Sequence, residues 1–104
     1  MLLMTTRGFY SVVEHREDDN LLLVRARCKQ DIEALAELIP VTPVSILDAD
    51  YAWQIEAPRA QWAAALMALL AEVTYPNFNN AMRDSDRHDV YLGVWRQLLV
   101  LDDR

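Results

Sequence analysis

The chain has 104 residues, which is room for one domain with a modest core. A hydrophobic fraction of 53% and a charged fraction of 25% mark a globular rather than a disordered chain. A formal net charge of -6 argues against a dedicated nucleic-acid binder, which needs a basic face to neutralise phosphates.

In chain order, residues 1–7 are too short and lack the basic segment of a secretory signal. Residues 8–15 (GFYSVVEH) are β-branched and aromatic and predict a strand. Residues 16–20 form a polar turn, and residues 21–28 (LLLVRARC) predict a second strand. The period of two puts Leu22, Val24, Ala26 and Cys28 on one face and Leu21, Leu23, Arg25 and Arg27 on the other. So short a connection predicts an antiparallel hairpin. With Val13 opposite Leu23, Tyr10 and Val12 join Val24 and Ala26 inside, while Phe9, Val13, His15, Leu23, Arg25 and Arg27 collect outside.

Residues 30–39 predict a helix, because Ile32, Leu35, Ala36 and Ile39 recur at i, i+3, i+4 and i+7. Asp31 and Glu33 suit its positive end, and Pro40 and Pro43 close it. Residues 44–47 and 51–57 predict two more strands around the turn Asp48-Ala49-Asp50; in the second, Tyr51, Trp53 and Ile55 alternate with polar or small neighbours. Pro58 fits the first position of a long Ala-rich helix whose expected buried stripe is Trp62, Leu66, Leu69, Leu70 and Val73. Its apolar run at 62–71 is about half the ~20 residues of a membrane span, so a cytosolic protein is expected. Tyr75 before Pro76 stops the helix, Asn77 caps a short one, and residues 87–101 predict a last helix with Tyr91, Trp95, Leu98 and Leu99 on its apolar side.

The order β-β-α-β-β-α followed by helices predicts an α+β fold: a ferredoxin-like two-layer sandwich, in a permuted form if the leading strand fills the missing edge, with a C-terminal helical extension. A single domain over residues 1–104 is expected, with the sandwich in 8–73 and the helices in 74–104. Helices on one sheet face leave the other open to a second subunit, a ligand or solvent.

Three segments carry a resemblance: SVVEHREDDNLLLVRAR, ADYAWQIEAPRAQWAAAL and YPNFNNAMRDSDRHDVYLGVWRQL. They are similar to a group of short proteins of bacteria and their phages that share such a hairpin and a Tyr-x-Asn-Phe hinge before a helical C-terminus. The resemblance implies a compact domain and brings no catalytic residue, cofactor or partner.

Candidate sites are few. Phe9, His15, Arg25 and Arg27 share the outer face, where arginines and an aromatic ring could hold an anion or a base, or form a subunit interface. Tyr75 and Phe78 flank the hinge and could line a pocket or staple the hinge to a core. Asp84, Asp86, His88 and Asp89 have ligand-type side chains, but helix capping explains the acids and no second histidine follows at i+4; no metal is expected. Glu17, Asp18, Asp19, Asp48 and Asp50 are turn chemistry. Cys28, the single cysteine, excludes an intramolecular disulfide and is expected as a small buried apolar group. With Gly8 and Gly93 as the only glycines, a glycine-built nucleotide cradle is excluded, and no hydrolase or zinc-protease motif occurs.

The expected function is a non-enzymatic protein-interaction module without a cofactor, acting as a homodimer or on a protein partner. In a phage setting, its acidic surface could inhibit a host nucleic-acid-binding protein. The alternative is a small ligand-binding protein or enzyme of dimeric α+β type, with a pocket between sheet and C-terminal helices and His15 with Arg25 as its first candidates.

Overall fold

A computed structural model describes residues 1–103. The protein is α+β and divides into two units, Met1–Val73 and Thr74–Arg104. The first holds a five-stranded antiparallel sheet of β1 (Leu2–Met4), β2 (Phe9–Glu14), β3 (Leu21–Ala26), β4 (Val44–Ser45) and β5 (Trp53–Pro58), in the order β1-β2-β3-β5-β4. Two helices accompany it, α1 (Lys29–Ala36) and α2 (Arg59–Ala71).

The expected hairpin forms, with Val13 paired to Leu23 and Val12 to Val24. Tyr10, Val12, Val24 and Ala26 therefore point inward and meet Ile55 and Ala57 from β5. Ile32, Leu35 and Ile39 from and beyond α1, with Trp62, Ala65 and Leu69 from α2, close this core. Both helices thus cover the same face, making two layers. Burying such side chains stabilises by about 1.5–3 kcal/mol each.

Several local expectations are corrected. Strand β1 arises where the sequence offers only three apolar residues; it is made by pairing with β2, Leu3 opposite Tyr10. The third expected strand shrinks to Val44–Ser45, because Asp48 turns the chain with φ 62, a left-handed conformation that Asp tolerates better than most residues. Pro58 is not the first helical residue; with ψ 141 it is the extended end of β5, and α2 starts at Arg59. Cys28 is the extended residue before α1 and only half-buried, since β3 ends at Ala26.

The buried stripe of α2 is Trp62, Ala65 and Leu69; Leu66, Leu70 and Val73 of the expected stripe stay exposed. Ala65 at 1% exposure explains the rotation, because a methyl side chain lets the helix backbone come closest to the sheet there. Tyr51 also leaves the alternation it was expected to share with Trp53, since the chain bends at Tyr51 before β5 begins.

Two polar clamps fix the first unit. Arg7, in the turn between β1 and β2, donates from Nε and Nη2 to the carboxylate of Glu72, from Nη1 to Glu37 at 2.9 Å, and to the Ala34 carbonyl. One guanidinium thereby ties the ends of α1 and α2 together. The Glu72 carboxyl is held below its ordinary range, first by its hydrogen bonds to Arg7. The second clamp is Asp31, buried in the first turn of α1. Its Oδ2 accepts from the Phe9 N–H at 3.0 Å, and its carbonyl accepts from the Tyr10 hydroxyl at 2.9 Å.

The second unit holds α3 (Phe78–Ala81), α4 (His88–Leu98) and a 3-10 turn, Leu99–Leu101. Asn77 caps α3 as its residue type predicts, its Oδ1 accepting from the Asn80 N–H at 2.9 Å. Of the apolar side expected on α4, Tyr91 is buried while Trp95 and Leu98 are each 49% exposed.

Candidate functional site

Outside the core-facing layer, the sheet of the first unit presents a face that neither α1 nor α2 covers. Register sets its composition row by row. Val13, Leu23 and Glu56 form one row; Ser11, Arg25 and Gln54 form the next. Phe9 and Arg27 continue the same parity toward the far end. Val13 is 36% exposed in the middle of this face.

At the hairpin end lies a shallow open depression of about 220 Å³, lined by His15, Arg16, Glu17, Leu23, Gln54 and Glu56. His15 is committed to the turn. Its Nδ1 accepts from the backbone N–H of Glu17 at 3.1 Å and of Asp18 at 3.2 Å. That leaves Nε2 as the protonated nitrogen of the neutral ring, and it lies 3.5 Å from Glu56 Oε1. A histidine so occupied holds the hairpin loop and directs one N–H at a carboxylate.

At the opposite end two guanidiniums converge on one ring. Arg25 Cζ lies 4.9 Å and Arg27 Cζ 4.6 Å from the centroid of Tyr51, both within cation–π range. Arg25 Nη2 donates to Ser11 Oγ at 2.8 Å, and Arg27 Nη1 pairs with Asp50 at 2.8 Å. The Asp50 carboxylate, hydrogen-bonded to Arg27, raises the affinity of that guanidinium for its proton. The Arg25 Nε is buried with no hydrogen-bond partner among the described residues, so the Ser11 hydroxyl and the Tyr51 ring are what hold this guanidinium.

The structure thus gathers Phe9, His15, Arg25 and Arg27 on one face, with His15 at one end and the arginine pair at the other. Tyr75 and Phe78 belong to the second unit, where their rings lie 5.9 Å apart and Phe78 stacks on Tyr91 at 5.5 Å. His88 Nδ1 lies 3.2 Å from Asp89, and among the described residues no group of three or more His, Cys, Asp or Glu side chains is placed to hold a metal ion. No described helix is long and apolar enough to cross a membrane.

Sequence reasoning misses Tyr51, Ser11, Arg16, Gln54 and Glu56 as parts of this face. The signal for Ser11, Gln54 and Glu56 is parity once β2–β3–β5 pairing is granted; for Tyr51 there is none, because it stands outside the ladder. Chemically the face offers an apolar middle, an arginine–tyrosine stack and a carboxylate–histidine corner. Arginine and aromatic side chains around an apolar centre are what protein interfaces favour.

In comparisons with known proteins, no family model, no curated protein and no solved structure matches the chain.

Proposed function

We propose that this protein is a small non-enzymatic interaction module that self-associates through the outer face of its sheet. The observation that carries this is the row Val13–Leu23–Glu56: partly exposed apolar side chains on a sheet face that no helix of the same unit covers, bordered by the Arg25–Tyr51–Arg27 stack. Commitment of the arginines to Ser11, Asp50 and the Tyr51 ring, together with the net charge of -6, favours a protein contact over a phosphate-binding one. Likewise, a His15 ring engaged by the hairpin turn favours binding over acid–base catalysis at this end.

The fold proposed behind this function is a permuted ferredoxin-like sandwich. Without β1, the order β2-β3-β5-β4 matches the ferredoxin-like arrangement with β2 standing in the place of its last strand, which supports the assignment. We place the protein in the cytoplasm, among the short bacterial and phage-borne proteins that its hairpin and hinge resemble. The acidic chain fits a role in occupying a host protein that normally binds nucleic acid, its carboxylates standing where phosphates would sit.

The test is the oligomeric state of the wild type and of Val13→Arg, measured by sedimentation velocity. Val13 is partly exposed, so an arginine there leaves the fold intact while placing charge in the contact. The wild type sediments as a dimer at tens of micromolar and the variant as a monomer; a monomeric wild type refutes the proposal.

A further inference from the structure

Resting on the self-association just proposed, we infer that the occupant of the outer sheet face is a second copy of this chain, laid antiparallel about a two-fold axis that runs across the strands. The two ends of the face carry opposite charge excess. At the hairpin end Glu17 and Glu56 outnumber Arg16, and at the other end Arg25 and Arg27 outnumber Asp50. Two identical faces can oppose each other only about an axis lying in the plane of the contact. An axis parallel to the strands sets each end on its own copy, arginine against arginine and glutamate against glutamate. An axis across the strands sets the Glu17–Glu56 end of one protomer on the Arg25–Arg27 end of the other, twice per dimer.

The dimensions agree with that placement. The Leu23–Glu56 and Arg25–Gln54 rows are neighbours on one face, about 7 Å apart along the strand. Stacked sheets lie about 10 Å apart, a gap that facing glutamate and arginine side chains span together. An axis between these rows sets Leu23 against the aliphatic stem of the partner copy's arginine, keeping the middle of the contact apolar. Like-charge opposition disfavours the other orientation and fixes the register.

A charge exchange between chains tests the geometry. Glu17 is exposed and the Arg27 side chain is 57% exposed, so Glu17→Arg and Arg27→Glu preserve the fold, which circular dichroism and thermal unfolding verify. Each variant alone places like charges together at both contacts and weakens dimerisation about tenfold or more. An equimolar mixture of the two restores complementary pairs at both contacts, and a heterodimer forms with a Kd within about threefold of the wild type. A mixture that stays as weakly associated as the separate variants overturns the antiparallel arrangement, while loss of the dimer in Val13→Arg would still uphold the face as the contact. A wild type that is monomeric overturns both.

Discussion

Gly8 is a glycine for lack of space, and that makes its replacement a quantitative test of how β2 is docked on α1. A Cβ at this position would stand 2.5 Å from Asp31 Cγ, 2.8 Å from Oδ1 and 2.9 Å from Asp31 Cβ. Ordinary contacts begin near 3.4 Å, so Asp31 has to move by most of an ångström. It has little freedom to do so, being 3% exposed with its Oδ2 engaged by the Phe9 N–H. Overpacking of this kind costs about 1–3 kcal/mol, and weakening the hydrogen bond from Phe9 to the carboxylate about 1–2 kcal/mol more. Against this stands a gain of about 0.4–1 kcal/mol from the stiffer unfolded chain, since Gly8 does not need a left-handed backbone. Gly8→Ala is therefore expected to lose about 2–3 kcal/mol in urea unfolding followed by tryptophan fluorescence. In the double variant Gly8→Ala/Asp31→Ala the two nearest atoms, Asp31 Cγ and Oδ1, are gone and only the 2.9 Å contact with Cβ remains, so the combined loss falls short of the sum by about 1 kcal/mol. A neutral or stabilised Gly8→Ala would refute the reasoning.

The Arg7–Glu72 clamp makes an acid-side prediction. Because the folded-state pKa of Glu72 is depressed, its contribution is complete above the unfolded carboxyl range near ~4.3 and is lost as pH falls through the depressed value. Glu72→Gln should thus flatten the fall of stability with acid relative to wild type, and unchanged steepness would contradict the assignment. His15→Ala frees the N–H groups of Glu17 and Asp18 and should cost about 0.5–1.5 kcal/mol, most of it recovered by His15→Asn, whose side-chain oxygen can accept in the same turn; equal losses in both would show that the imidazole acts in some other way. In high salt, the difference in dimerisation between Arg27→Glu and wild type should shrink, which sedimentation at two ionic strengths reads directly.

How much of this was legible depends on the range of the force involved. The antiparallel pairing of β2 with β3 and the inner and outer faces of each strand follow from a short polar turn and the period of two, both local; Val13 opposite Leu23 is one of several registers that keep this parity, and the structure selects it. The cap at Asn77 was likewise readable from local signals. The side of α2 that faces the sheet was not, because a helix apolar over most of its surface leaves the choice to tertiary fit, and Ala65 wins by permitting the closest approach. Strand β1 exists through its neighbour and not through its own three residues. Nor could Arg7 be assigned, since its partners Glu37 and Glu72 come from distant segments. Half of the outer face was visible as a set of like-parity residues. The ring that organises its arginine end was hidden, because Tyr51 reaches them only through a bend ahead of β5.

The outer sheet face as a self-contact surface is the centre of the account, and sedimentation velocity of wild type beside Val13→Arg tests it most directly. A dimer that becomes a monomer on this one substitution, with unfolding unchanged, is the expected result. A monomeric wild type at tens of micromolar, or a Val13→Arg protein that dimerises as the wild type does, would contradict it.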